Sequence, residues 1–267
     1  MQDHSCVRLA VIATIAMASS IAATAAPQAE CFMLAGQGRP AFVSDSVECA
    51  RPTAPASTFK IPHALIALET GVITAETIFR WDGSSRANQS WQRDHTLDSA
   101  IKWSVLPFFQ NTARLIGPDR MHRWLARLKY AHDSFDGDIS TFWLNGDLVV
   151  SPIEQLAFLE RFFGRQLPVS AQHVATVQRA MQMPAGQVLM AAGPHRFDLS
   201  WPADTIVRTK TGNTTVRDER VSWLIGALEV KRERYLFVAR VRSGGSLDTS
   251  AAIDLAQREL NAHRPPF

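Results

Sequence analysis

The chain has 267 residues, 46% of them hydrophobic and 20% charged, which is enough apolar material for one globular unit of one or two subdomains sharing a core and excludes a disordered chain. The formal net charge of +3 comes from single Arg and Lys residues scattered along the sequence rather than from basic runs, so nucleic-acid binding has no support.

At the N-terminus Arg8 precedes an apolar run, 9–18, and small residues follow as far as Ala23-Thr24-Ala25. This pattern predicts a signal peptide over residues 1–25, cleaved after Ala25 or Ala26 ahead of Pro27. The run is too short for a membrane-spanning helix, which takes about 20 residues, and it lacks the polar face of a buried N-terminal helix. Export to the periplasm follows, with no membrane attachment after cleavage. Cleavage removes Cys6 and leaves Cys31 and Cys49. In an exported chain these two can form a disulfide contributing about 3 kcal/mol by loop-closure entropy; two unlinked buried thiols are the alternative. Two cysteines without a neighbouring histidine pair give no zinc signature, and no metal site is expected.

Next, Cys31-Phe32-Met33-Leu34 and Ala41-Phe42-Val43 flank Gly36-Gln37-Gly38-Arg39-Pro40 and predict a two-stranded hairpin. After the Pro-rich segment 51–55, Ser57-Thr58-Phe59-Lys60 opens an apolar stretch in which Pro62 fits only a first turn and Gly71 suits a C-terminal cap. One helix starting near Ser57 is predicted. From about 74 to 183 the pattern is helical, with three- and four-residue apolar spacing in 121–128 and 153–163, and Ser151-Pro152-Ile153-Glu154 forms a capping box. The period then changes to two in 205–211, 221–230 and 235–241, the last two joined by the charged turn Lys231-Arg232-Glu233-Arg234, and 249–262 is an amphipathic closing helix. Together these predict an α+β fold: an antiparallel sheet flanked by N- and C-terminal helices, from about 26–73 and 184–267, with an inserted all-α subdomain at about 74–183.

Ser57 and Lys60 are three residues apart at a helix start, so their side chains can meet beside free N–H groups and a positive dipole end suited to an oxyanion. A serine needs a base to become a nucleophile, and a lysine serves only when neutral, a state that burial among residues such as Phe59 and Ile61 favours. Ser-x-x-Lys alone also fits a plain N-cap with the lysine in solvent. Lys210-Thr211-Gly212, read as the end of the strand 205–211 and followed by Asn213, is the second element. Gly212 admits a ligand close to the strand, the backbone can pair with an amide-like substrate, and Lys210 and Thr211 can bind its carboxylate. Both elements in this order, about 150 residues apart, are far more specific than either one.

With these residues the sequence resembles the penicillin-recognising serine enzymes and, within them, the class D or oxacillinase-type β-lactamases. The resemblance spans most of the chain after the leader: Pro55-Ala56-Ser57-Thr58-Phe59-Lys60, Trp91-Gln92-Arg93-Asp94-His95-Thr96-Leu97-Asp98-Ser99-Ala100, Lys102-Trp103-Ser104, Phe142-Trp143-Leu144-Asn145-Gly146 and Lys210-Thr211-Gly212. The pair Cys31 and Cys49 also occurs in part of that family. The resemblance implies hydrolysis of a small-molecule β-lactam with Ser57 as the acylated nucleophile. Lys60 is implied to carry CO2 as a carbamate (N6-carboxylysine), with no other cofactor. Ser104 would relay protons between Lys60 and Lys210, Trp143 would donate its indole N–H to the carbamate, and the N–H groups of Ser57 and Asn213 would form the oxyanion hole. Two alternatives share these motifs: a β-lactam sensor domain, or a penicillin-binding protein that acylates without turnover.

Three departures from the family pattern bear on turnover. Leu106 stands in Ser104-Val105-Leu106 where a smaller valine is usual, and either crowds or shields the carbamate. Tyr130-Ala131-His132 replaces a Tyr/Phe-Gly-Asn motif, and Ala131 restricts a backbone that glycine leaves free. His132 itself reads as a loop histidine or a base. Ser250 stands where many members place an arginine for the substrate carboxylate, leaving Arg240, Arg242 and Arg217 as candidate substitutes.

Overall fold

The computed structural model describes residues 28–36, 41–131 and 135–266. The leader at 1–25, the turn residues 37–40 and His132 lie outside them. Five antiparallel strands form the main sheet: β1 (Gln28–Gly36), β2 (Phe42–Val43), β5 (Ile206–Val216), β6 (Glu219–Val230) and β7 (Glu233–Ser243), in the spatial order β2-β1-β7-β6-β5. The first long strand pairs with the last, from Gln28 opposite Ser243 to Gly36 opposite Tyr235, so the two ends of the chain close one sheet. Strand β5 is left at an edge.

Period-two alternation sends the two faces of this sheet into different cores. On one face Val221, Trp223, Ile225 and Ala227 pack with the helices. On the other Leu224, Leu228, Phe237 and Val241 pack with Ile253, Leu255 and Leu260 of α8 (Ala251–Ala262). Each Val, Leu, Ile or Phe among them taken out of water contributes about 1.5–3 kcal/mol.

Between β2 and β5 lie α1 (Ser46–Ala50), α2 (Lys60–Glu69), α3 (Leu97–Lys102), α4 (Leu106–Ile116), α5 (Pro118–Leu128), α6 (Pro152–Phe163) and α7 (Ala171–Ala180). A second, two-stranded sheet pairs β3 (Gln187–Met190) with β4 (Gly193–Arg196). Helix α6 starts as its sequence requires: Ser151 Oγ accepts from the Glu154 N–H at 3.3 Å while Glu154 Oε2 accepts from the Ser151 N–H at 2.7 Å. The antiparallel sheet with flanking helices is the predicted fold class.

Two local expectations are corrected. The segment around Ser57 is not α-helical; Ala56–Phe59 is a 3₁₀ turn and α2 begins at Lys60. Pro62 has no N–H to return to the Thr58 carbonyl four residues back, so an α-turn cannot close there, and the Lys60 N–H bonds Ser57 and Thr58 carbonyls instead. Lys210-Thr211-Gly212 does not end its strand either. Pairing with β6 continues to Val216 opposite Glu219, which places the motif in the middle of β5.

Cys31 on β1 and Cys49 on α1 form a disulfide between buried residues, with Cα atoms 5.2 Å apart. Beside it Arg240 is fully buried and donates to the carbonyls of Glu48 and Arg51, while Arg242 holds the Glu48 carboxylate with contacts of 2.6 and 2.8 Å and also pairs with Glu219. Burial and the Arg242 charge bring Arg240 down to about 10, so it stays cationic at neutral pH. Both arginines therefore fasten α1 to the sheet.

Candidate active site

Ser57 sits on the 3₁₀ turn because its neighbours are pinned. The Ala56 N–H donates to the Trp143 carbonyl at 2.9 Å and the Thr58 N–H to the Pro55 carbonyl at 3.1 Å. No protein acceptor for the intervening Ser57 N–H exists among the described residues.

Lys60, at the first position of α2, is wholly buried, and its Nζ lies 2.8 Å from Ser57 Oγ, 2.8 Å from the Ser104 carbonyl and 3.0 Å from Ser104 Oγ. Ser104 is not the surface residue that its type alone suggests; it is buried, with φ at +53° in the left-handed region. A non-glycine residue there carries a cost of about 1–2 kcal/mol, and the gain is that both its carbonyl and its hydroxyl reach Lys60.

Lys210, wholly buried on β5, approaches from the other side, its Nζ 3.0 Å from Ser104 Oγ and 3.0 Å from the Thr211 carbonyl. One hydroxyl thus lies between two lysines. Burial, then the Lys210 charge, hold Lys60 well below its ordinary value, and burial brings Lys210 down to about 7. Burial thus favours the neutral amine at both positions, and at Lys210 that form is populated near neutral pH.

Trp143 is fully buried, its indole stacked on Phe59 with centroids 5.6 Å apart. Its Nε1 has no partner among the described residues. A buried N–H without an acceptor costs about 1–3 kcal/mol, and a carboxylate built on the neighbouring lysine would satisfy it, so the pocket suits a carbamate on Lys60.

His63, one turn beyond Lys60, was not singled out in the sequence. Burial, then the Lys60 charge, push it down to about 3, so it is neutral, and its ring packs against Phe59, Phe109 and Trp143 as part of the pocket wall. An imidazole in an apolar run gives no signal of that position.

Edge strand β5 supplies the opposite wall. The Thr209 N–H bonds the Met181 carbonyl, outward from the sheet, so the N–H and C=O groups of Thr211 and Asn213, at the same phase, also face outward. Gly212 makes this possible. A Cβ there would lie 3.0 Å from the Pro55 carbonyl oxygen and 3.1 Å from the Thr58 nitrogen, so a side chain would press strand and nucleophile turn apart by a few tenths of an ångström.

Between these walls is a cavity of about 340 Å³ whose lining includes Ser57, Ser104, Leu106, Thr211, Asn213 and Thr214, with Trp91, Leu144, Met190 and Thr249 around them. Leu106 forms part of the wall beside Ser104. Among the sequence-derived substitutes for the missing arginine, Arg240 and Arg242 are committed to Glu48, and Arg217 lies at the β5–β6 turn, lining a separate surface cavity.

Ala131 has φ at +61°, following Lys129 at +46°, while Tyr130 between them is buried against Phe59 and Phe158. Burial pushes the Tyr130 phenol up, with Thr58 and Gln155 beside its hydroxyl. Ala131→Gly therefore relieves left-handed strain and raises stability by about 0.5–1 kcal/mol, read as a higher Tm in thermal unfolding. A lower Tm would mean that the alanine side chain is held in favourable contact.

No helix of the described residues is long and apolar enough to cross a membrane, and no group of three or more His, Cys, Asp or Glu among them could hold a metal ion.

The penicillin binding protein transpeptidase domain matches residues 15–258. The β-lactamase OXA-48 of Klebsiella pneumoniae is 35% identical over 204 residues, covering 76% of this chain and 69% of the relative. Among solved structures, the class D β-lactamase BAT-2 superposes with a TM-score of 0.76 at 31% identity, covering 88% of this chain and 92% of that one. The C-terminal domain of the Bacillus licheniformis BlaR penicillin-receptor gives a TM-score of 0.77 at 25% identity, covering 89% and 91%.

Proposed function

Because the chain belongs to the penicillin-binding transpeptidase-domain family and, within it, to the class D serine β-lactamases, we propose that it hydrolyses β-lactam antibiotics through an acyl-enzyme on Ser57, with carboxylated Lys60 as general base. The observation that carries this reading is the buried Lys60 Nζ placed 2.8 Å from Ser57 Oγ and 3.0 Å from Ser104 Oγ. When bound to the neutral amine, CO2 supplies a carboxylate base there, with release of one proton.

In acylation the Ser57 hydroxyl loses its proton to the Lys60 side chain as Oγ attacks the lactam carbonyl. The N–H groups of Ser57 and Asn213 meet the oxyanion. The C–N bond of the ring breaks, and a proton reaches the leaving nitrogen through Ser104, which touches both lysines. Thr211 holds the substrate against β5, with Lys210 bonded behind it to Ser104, and the outward carbonyl of Asn213 accepts from the substrate amide N–H. In deacylation a water gives its proton to the Lys60 side chain and attacks the ester, releasing the penicilloic acid and restoring Ser57. Trp143 donates its otherwise unpartnered N–H to the base and fixes its position.

Residues 1–25 direct the chain to the periplasm and are removed there, an environment in which the Cys31–Cys49 disulfide persists. The similarity to the BlaR penicillin-receptor domain keeps a second reading in view, acylation without turnover. A chromogenic cephalosporin in large excess separates the two. Sustained turnover is expected; a burst of one equivalent followed by a lasting adduct would mean a receptor.

A further inference from the structure

The two lysines behind the cleft are both committed: Lys60 to Ser57 and Ser104, Lys210 to Ser104 and Thr211. A β-lactam also carries a carboxylate, which needs a cation or several donors once it leaves water. The start of α8 offers no cation, since Ser250 Oγ is engaged with Asp248 and Asp254.

The register of β5 on β6 points elsewhere. Asn213 lies opposite Ser222 and Thr215 opposite Arg220, so Thr211, Asn213 and Arg220 share the face on which Ser222 meets Thr249 and Ala252. Arg220 is exposed and, among the described residues, makes no side-chain hydrogen bond or ion pair. It lines a second cavity of about 230 Å³, which joins the catalytic cleft through the shared residues Asn213, Thr214 and Thr249. Diagonal neighbours on one sheet face are about 7–8 Å apart, a distance that an arginine side chain spans. The acidic residue of this second cavity, Asp248, has one oxygen occupied by the N–H and hydroxyl of Ser250.

We propose that Arg220, reaching across Asn213 to the mouth of the cleft, receives the carboxylate of the substrate and so gives this enzyme a preference for anionic β-lactams. The proposal rests on the β-lactam reading of the same cleft. Its test is the second-order rate of Ser57 acylation, read by intact-mass spectrometry, with benzylpenicillin and with its methyl ester. Arg220→Ala slows acylation by the acid about tenfold, as loss of one exposed charge-assisted bond predicts, and leaves the ester rate unmoved; Arg220→Lys recovers most of the loss. An unchanged acid rate, or an equal fall with both compounds, overturns the proposal. A wild-type adduct that forms and then persists would instead overturn hydrolysis and leave the role of Arg220 standing.

Discussion

Replacing Ser57 by alanine abolishes covalent labelling by a fluorescent penicillin and lowers hydrolysis on the order of 10⁴-fold or more, since the other hydroxyl on the buried amine, that of Ser104, is held between the two lysines. The fold survives, because the turn is pinned by the backbone bonds of Ala56 and Thr58 and Lys60 keeps both of its bonds to Ser104. Circular dichroism and thermal unfolding of the variant check this. Lys60→Ala separates the two half-reactions: acylation slows, and any adduct that forms on Ser57 persists because the water has lost its base. An alanine variant at position 57 that labels as well as the parent would falsify the nucleophile.

Hydrolysis should fall on the acid side and recover, at fixed pH, when bicarbonate is added. Carbamate formation consumes a neutral amine, and burial, followed by the Lys210 charge, lowers the pKa of Lys60 and so favours that form. Acid returns the proton and removes the base. Trp143→Ala leaves the carbamate one donor short, a loss of about 1.5–3 kcal/mol for a bond to a charged group, so it needs roughly ten times more bicarbonate or beyond for the same rate. Carbon-13 NMR with labelled bicarbonate shows the carbamate signal directly. Full activity with no such signal and no bicarbonate response at any pH would leave Lys60 acting as a free amine. The depressed lysines also have a folding signature: between about 7, the folded value for Lys210, and about 10.4, the unfolded value, the unfolded chain binds more protons, so stability rises with pH across that window.

What was legible in the sequence was local or repetitive. Ser57 and Lys60 lie within one turn, Lys210-Thr211-Gly212 is contiguous, and the strands and helices announce themselves by period. The 3₁₀ turn at Ser57 was missed because Pro62 fits the first turn of an α-helix equally well when read alone; only the missing bond to Thr58 distinguishes the two. The continuation of β5 beyond Gly212 was hidden because Asn213-Thr214-Thr215 is polar, and polar residues at an edge strand look like a loop until β6 is seen alongside. The hairpin of β3 and β4 was missed because its strands are four residues each and contain Gly193 and Pro194. Ser104 and Arg240 misled for another reason. Their burial depends on partners 44 and 192 residues away, Lys60 and Glu48, and no local pattern carries that information.

The passage of β5 beside Pro55 and Thr58 has a bearing on how enzymes of this shape diversify. At Gly212 the strand packs against the Pro55 carbonyl and the Thr58 nitrogen and methyl group, so the spacing of strand and nucleophile turn is set largely by main-chain atoms behind the cleft. Selection for bulkier drugs can then act on other lining residues, such as Trp91, Leu144 and Met190. Resistance to a new compound can in this way evolve at the mouth while the main chain behind the nucleophile keeps its spacing.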